Sequence, residues 1–274
     1  MPEGPEIHRA ADRLRRALAG RPALSVEFAF PRLQRYTPQL TGETITDVRA
    51  RGKALLTRFA NGLVVYSHNQ LYGRWYVLRA GRRARTTRSL RLAIGNEKHA
   101  ALLYSASEID VLEAAHLDRH PFLAALGPDA LDPALEIGAL DDRLASRSFR
   151  GRALGALLLD QRFVAGLGNY LRADILFEAR LHPAERPGKL DPEQRRRLAA
   201  AILRITKRSY RSAGVTNEPD RVARRRGQGH PRSDWRHLVF AREGQPCWDC
   251  GTKIERISSG GRRLYLCPSC QPMP

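Results

Sequence analysis

The four cysteines of this 274-residue chain stand as two pairs, Cys247-x-x-Cys250 and Cys267-x-x-Cys270, with residues 251–266 between them. Each C-x-x-C turn can offer two thiolates, and two such turns at this spacing suit one tetrahedral zinc ion. Gly251 follows the first pair, where a tight knuckle turn needs a permissive backbone. Lys253–Ile257 and Arg263–Leu266 alternate polar and apolar residues, as the two strands of a hairpin do. Two other uses of cysteine compete. Disulfides are disfavoured in a reducing interior, and thiol redox chemistry needs one C-x-x-C beside a βαβ pattern, which is missing here.

A second kind of chemistry belongs to amines. Pro2 is small enough to favour removal of the initiator methionine, which would leave a secondary amine. An α-amino group titrates near pH 8, so roughly a tenth is unprotonated at pH 7, against well under a thousandth of an ordinary lysine. The positive end of a following helix favours the unprotonated form further. Such an amine can attack a sugar carbon and form an iminium. Glu3 adjoins it as a candidate general acid, while Glu6 suits the first turn of a helix without any further role. Lys53 invites attention because only five of the 47 basic residues are lysine. A lysine can lose its proton and an arginine cannot. Chance placement and phosphate binding account for it equally well.

Two other segments carry chemistry-bearing residues. His68-Asn69-Gln70-Leu71-Tyr72-Gly73 reads as a turn between strands, and on a basic protein it could be a wedge that fills the space of an extruded nucleotide. The competing reading buries Leu71 and Tyr72 in the core. Gly166-Leu167-Gly168-Asn169-Tyr170 opens a helix, where Asn169 could cap the helix or donate to a phosphate.

These residues need elements to hold them. Residues 5–19 place Ile7, Ala10, Ala11, Leu14, Ala17 and Leu18 on one helical face, with Pro5 in the first turn and Gly20 at the stop. From 23 to 105 the rhythm is of short alternating strands, with a hairpin signal at Asn61-Gly62. Strands so short and so regularly spaced predict an antiparallel β-sandwich or barrel against which the first helix packs. Beyond Gly127-Pro128-Asp129 the pattern is helical, over about 133–146, 151–161, 165–180 and 191–213, and an arginine-rich loop spans 214–237. The pair 151–161 and 165–180 resembles a helix-two-turn-helix.

Charge narrows the partner. Forty-seven Lys and Arg against 28 Asp and Glu leave a net +19, which points to a polyanion, most simply nucleic acid. From Arg195 to Arg226 eleven basic residues face two acidic ones, more imbalance than a solvated helix face needs. No run of apolar residues is long enough to span a membrane, and the acidic, proline-bearing start is unlike a secretory signal.

Together these segments resemble the formamidopyrimidine-DNA glycosylase/endonuclease VIII family, and within it the endonuclease VIII branch. The marks are Met-Pro-Glu-Gly-Pro-Glu-Ile at the start, Arg51-Gly52-Lys53-Ala54-Leu55-Leu56, Tyr66–Gly73, His120-Pro121-Phe122-Leu123, Leu157–Gln161, Ala165–Arg172 and the four cysteines. They span essentially the whole chain. The resemblance implies an α+β multidomain protein: an N-terminal antiparallel β-sandwich with a packed helix (1–128), a helix-two-turn-helix domain (129–236) and a zinc-ribbon finger (237–274). It implies a DNA glycosylase with AP lyase activity that excises oxidised pyrimidines such as thymine glycol and dihydrouracil, acting as a cytoplasmic monomer on damaged double-stranded DNA.

By that likeness Pro2 is the nucleophile, Glu3 the proton donor that opens the sugar, and Lys53 the residue serving β-elimination. Arg262 would hold the phosphate for δ-elimination, Gln70, Leu71 and Tyr72 would fill the helix void, and Gln70 and Asn169 would contact DNA. The single zinc would be structural, because four thiolates leave no open coordination position. The 8-oxoguanine branch typically starts Met-Pro-Glu-Leu and carries a methionine wedge, whereas this chain has Gly4 and Gln70-Leu71-Tyr72. The chain also departs from the family at Ala124-Ala125, where an arginine is expected, and Arg224-Arg225-Arg226 are the candidate replacement. A purine-directed enzyme of the same family, or a zinc-ribbon protein that binds DNA without catalysis, are the alternatives.

Overall fold

The computed structural model describes residues 2–274, which form two compact units meeting in sequence between Ala125 and Leu126. The first begins with helix α1 (Gly4–Leu18), whose buried side chains include Ile7, Ala10, Ala11, Leu14, Ala17 and Leu18. The Glu6 carboxylate accepts from the Glu3 backbone N–H at 3.0 Å, satisfying a donor that the helix start leaves over. Arg15 and Arg16 sit in the last turn, where the helix dipole favours cations.

Nine strands follow: β1 (Arg21–Pro22), β2 (Ser25–Phe28), β3 (Thr44–Arg51), β4 (Ala54–Phe59), β5 (Leu63–His68), β6 (Arg74–Arg79), β7 (Leu90–Gly95), β8 (His99–Tyr104) and β9 (Glu108–Glu113). They pair antiparallel into a five-stranded sheet, β1-β3-β4-β5-β9, and a four-stranded sheet, β2-β7-β8-β6. Val48, Leu55 and Val65 of one sheet meet Val26, Trp75, Leu92 and Leu103 of the other, and α1 adds Ile7, Leu14 and Leu18 to the same core. This is the β-sandwich with a packed helix that the alternating pattern anticipates. Short helical turns α2 (Pro31–Gln34), α3 (Thr37–Leu40) and α4 (Pro121–Ala124) complete the unit.

The second unit is helical: α5 (Ile137–Ala145), α6 (Leu154–Leu157), α7 (Asn169–Glu178), α8 (Pro192–Arg211), α9 (Pro219–Gly227) and α10 (Arg232–Trp235), followed by a hairpin of β10 (Glu255–Ser259) and β11 (Arg262–Leu266). Three helices, α5, α6 and α7, are shorter than their apolar periodicity suggests. The Asp129 and Asp132 carboxylates accept the Leu131 and Ala134 N–H groups, at 2.8 and 2.9 Å, and hold 129–134 in turns. The Gln161 amide accepts from Gly166 N–H at 3.0 Å and donates to the Leu159 and Leu167 carbonyls, fixing the two turns that separate α6 from α7. The stretch 214–237, expected as an arginine-rich loop, contains two helices, α9 and the single turn α10, with loop on either side of them. Pro219 presets the first turn of α9, and the arginines that dominate the segment are good helix formers.

Helix α7 is buried on all sides from Tyr170 to Phe177, including Arg172 and Asp174, both 0% exposed. Asp174 accepts from the Thr216 hydroxyl and from the Val239 and Phe240 N–H groups, at 2.9 and 3.0 Å, with His237 Nδ1 3.3 Å away. Burial alone would raise its pKa, but the bonds from His237, Thr216 and Val239 outweigh it and hold the carboxyl below its ordinary value. One carboxylate thus pins the 216–240 segment to α7. Asp174→Asn is expected to destabilise this unit by about 3 kcal/mol at neutral pH, read as a shift of its denaturation midpoint. The wild-type advantage is present above the ordinary carboxyl pKa and disappears as pH falls through the lower folded value.

Candidate active site

Pro2 leads directly into α1 and lines a cleft of about 470 Å³ in the first unit, together with Glu6, Arg13, Leu71, Tyr72, Arg74 and Arg88. Three arginines against one carboxylate make its wall attractive to an anion, and the helix start adds positive potential. Glu3, beside Pro2, is 3% exposed. Lys53 sits at the tip of the β3–β4 hairpin yet is only 7% exposed. The hairpin closes with Arg51 opposite Ala54, and Gly52 takes φ +60°, the first position of a tight two-residue turn that a side chain resists. A lysine buried at a hairpin tip is an uncommon arrangement for a residue that normally keeps its head in water. Glu3 and Lys53 are not among the residues lining the cleft.

The segment 69–73 carries the chain from β5 in one sheet to β6 in the other. Gly73 N–H donates to the Asn69 carbonyl at 2.7 Å, and a Cβ at Gly73 would fall 2.5 Å from that oxygen, so a side chain there forces the turn open. Leu71 and Tyr72 are 61% and 68% exposed, which removes the core reading for both. Gln70 adopts φ +48° and is held at both ends of its amide: Nε2 donates to Glu108 at 2.7 Å and Oε1 accepts from the Ser107 hydroxyl. Its backbone N–H donates to His68 Nδ1 at 3.1 Å. Burial lowers the His68 pKa and Lys53 assists, outweighing the opposite pull of Glu108 3.6 Å away, so the ring stays neutral and able to accept.

In the second unit Arg262 is exposed and follows the turn Gly260-Gly261, whose φ values of +61° and +71° suit a tight hairpin turn that glycine adopts freely. Asn169 does not cap α7; Gly168 occupies that position. Its Nδ2 donates to the Arg263 carbonyl at 2.9 Å, and its Oδ1 accepts from Arg172 at 2.6 Å. Arg172 also donates to the Gly155 carbonyl at 2.9 Å and the Arg263 carbonyl at 3.2 Å. A buried guanidinium therefore ties α6, α7 and the finger hairpin together and sets Asn169 beside the strand that begins with Arg262. Sequence reading did not single out Arg172, Ser107, Glu108 or Arg88. The signal for Arg172 was there: it and Asp174 are two charges inside the apolar run 170–177.

The four cysteine sulfurs all lie within 4.8 Å of one another, with Cys250–Cys267 at 3.4 Å, Cys250–Cys270 at 3.5 Å and Cys247–Cys270 at 3.9 Å. A tetrahedron of thiolates around zinc has edges of about 3.8 Å, from a sulfur–zinc distance of about 2.3 Å. The donor set fits zinc in number, chemistry and size. The hairpin alternation read from the sequence brackets this cluster, with β10 and β11 joining the two knuckles.

Residues 1–105 match the formamidopyrimidine-DNA glycosylase N-terminal domain, 126–219 the formamidopyrimidine-DNA glycosylase H2TH domain, and 244–272 the zinc finger found in FPG and IleRS. Endonuclease 8 of Klebsiella pneumoniae and that of Escherichia coli are each 46% identical to this chain over 271 residues, covering 99% of it and 100% of the relative. Lactococcus lactis formamidopyrimidine-DNA glycosylase, solved on AP-site DNA, has the same fold with a TM-score of 0.80 at 20% identity, over 99% of this chain and 100% of that one. The same enzyme on DNA containing an oxidised pyrimidine gives a TM-score of 0.81 at 20% identity, again over 99% and 100%. The chain belongs to the formamidopyrimidine-DNA glycosylase/endonuclease VIII family of DNA glycosylase/AP lyases.

Proposed function

We propose that this repair glycosylase excises oxidised pyrimidines, of the thymine glycol and dihydrouracil type, from duplex DNA and cuts the strand by β,δ-elimination through a Schiff base on Pro2. The observation that carries the proposal is the sharing of one arginine-lined cleft by Pro2 and the exposed Leu71 and Tyr72. A nucleophile and a wedge on the same cleft suit an enzyme that takes a nucleotide out of the stack and fills the gap behind it.

Once Met1 is removed, the Pro2 nitrogen attacks C1′ and the damaged base departs with the bonding pair and a proton. Glu3 donates a proton to the sugar ring oxygen as the ring opens and the iminium forms. Lys53 serves the loss of the C2′ proton, which expels the 3′ phosphate; a second elimination expels the 5′ phosphate, which Arg262 holds. Gln70 and Asn169 contact the DNA backbone or bases. One zinc ion, held by Cys247, Cys250, Cys267 and Cys270, supplies folding free energy to the finger, since its four thiolates leave no position for substrate. The preference for pyrimidines rests on Gly4 and the Gln70-Leu71-Tyr72 wedge; a purine-directed enzyme is the alternative outcome.

Single-turnover excision from duplexes carrying thymine glycol or 8-oxoguanine tests the assignment. Thymine glycol is expected to be removed the faster, leaving phosphates on both ends of the gap, and the reverse order would move the chain to the purine branch. Lys53→Arg keeps the charge but not the ability to exchange a proton, and strand cleavage should fall by about 100-fold. A rate near that of the wild type would remove Lys53 from the chemistry.

The wedge loop should also be sensitive to acid. Because burial lowers the folded pKa of His68 below its ordinary value, the bond from Gln70 N–H is intact above pH ~6.5 and is lost as pH falls through the folded value. The protection of the Gln70 amide, the slowing of its exchange relative to the intrinsic rate at each pH, is expected to fall across that lower range, in step with the His68 ring titration. Protection that ignores the titration would separate the ring from the loop.

A further inference from the structure

Helix α9 poses a problem of anchorage. It has nine residues and none is buried, so no apolar face holds it down, and a helix this short is not stable alone. Four of its residues are arginines, Arg221, Arg224, Arg225 and Arg226, against the single acid Asp220. Its N-cap, Glu218, is already paired with Arg208 at 2.8 Å.

The contacts that hold α9 lead to the metal knuckle. Between Cys247 and Cys250 stand Trp248 and Asp249. The Arg221 and Arg225 guanidiniums lie 5.3 and 5.2 Å from the Trp248 ring centre, and the buried Arg242 lies 3.9 Å from it. Three cations thus gather on one indole, whose electron-rich face offsets part of their mutual repulsion. Asp249 accepts from Arg221 at 2.9 Å and pairs with Arg180, while Trp248 Nε1 donates to the His237 carbonyl at 3.2 Å. Arg221 and Arg225 are one helical turn apart and are both occupied by the knuckle; Arg225 also meets His230 Nε2 at 3.0 Å. Arg224 and Arg226 are exposed and make no ion pair among the described residues, although Arg226 comes within 5.9 Å of the Trp235 ring.

We infer that α9 is a DNA phosphate-binding surface, gripping through Arg224 and Arg226, and that Trp248 and Asp249 of the metal knuckle hold it in place through Arg221 and Arg225. The inference rests on the DNA-repair reading above and adds to it a second use of the finger: the two residues inside the first C-x-x-C carry no metal ligand and instead dock a cationic helix. Two exposed guanidiniums on a helix anchored by its other arginines present fixed positive charge at low ordering cost, which suits a regularly charged backbone. The contact carries no base information, so it should strengthen binding to damaged and undamaged duplex alike.

The test is the salt dependence of binding, measured by fluorescence anisotropy on a duplex carrying a tetrahydrofuran abasic-site analogue and on the undamaged duplex. R224Q/R226Q is expected to reduce the slope of log K against log salt by about 2, one unit for each phosphate no longer neutralised, on both duplexes. W248A, assayed for bound zinc, should retain the metal, lose amide-exchange protection across 219–227 and show the same drop in slope, whereas W248F should restore both. An unchanged slope in R224Q/R226Q would overturn the phosphate grip. Unchanged exchange in W248A, loss of zinc from it, or failure of W248F to restore the slope would overturn the docking. Excision of thymine glycol by the wild-type protein, measured separately, reports on the repair reading itself, so the two can fail independently.

Discussion

The nucleophile proposed at the second residue of this chain must be held still in the part of a protein where order is usually weakest. Here the constraint is met by the helix that follows. Helix α1 starts at Gly4, two residues beyond Pro2, and buries eight of its residues, so the Pro2 nitrogen is tied to the sandwich through a short and rigid lever. The same helix start contributes positive potential at Pro2, which favours the unprotonated amine that the proposed mechanism requires. The capping box is reciprocal: Glu6 accepts from the Glu3 backbone N–H and Glu3 from that of Glu6, so both carboxylates fix the helix start beside Pro2. The 69–73 loop, the cleft and the buried Lys53 all belong to the same unit as α1, and each depends on the sheets that α1 packs against.

The charge of the chain is divided by task. Arginine, which cannot give up its proton, lines the cleft and decorates α9, where a fixed cation is what a phosphate backbone requires. Buried arginines do a different job. Arg172 binds carbonyls of α6 and the finger hairpin, and Arg242 donates to the Leu238 and Pro246 carbonyls at 2.7 and 2.8 Å while lying on Trp248. Burial pulls Arg242 down to about 10, still charged at neutral pH. Removing such a cation would orphan several carbonyls at once, whereas removing an exposed one changes mainly affinity and its salt dependence.

Local pattern makes much of this legible. The amphipathic period of 5–19 becomes α1 within a residue at each end, and the two C-x-x-C knuckles with their alternating segments become a closed four-sulfur cluster. What local pattern cannot supply is pairing at a distance. Leu71 and Tyr72 have the composition of core residues, and only the crossing of the chain between two sheets, tightened at Gly73, leaves them exposed. Gln70 is clamped by Ser107 and Glu108, residues nearly forty positions away, and Asn169 by a carbonyl more than ninety away. The arginine-rich stretch lacks an apolar face, so its periodicity is silent; its helicity is supported by an indole between two of the clustered cysteines. None of these partnerships leaves a signature in spacing.

At the centre stands the claim that the Pro2 nitrogen itself bonds to the sugar. Borohydride reduction of the reaction with thymine glycol DNA, followed by proteolysis and mass spectrometry of the cross-linked peptide, measures this directly. The predicted product is a nucleotide remnant carried on the nitrogen of Pro2 in a peptide without Met1. A remnant carried instead on Lys53, or a reduced adduct that still forms when Met1 is retained, would contradict the claim.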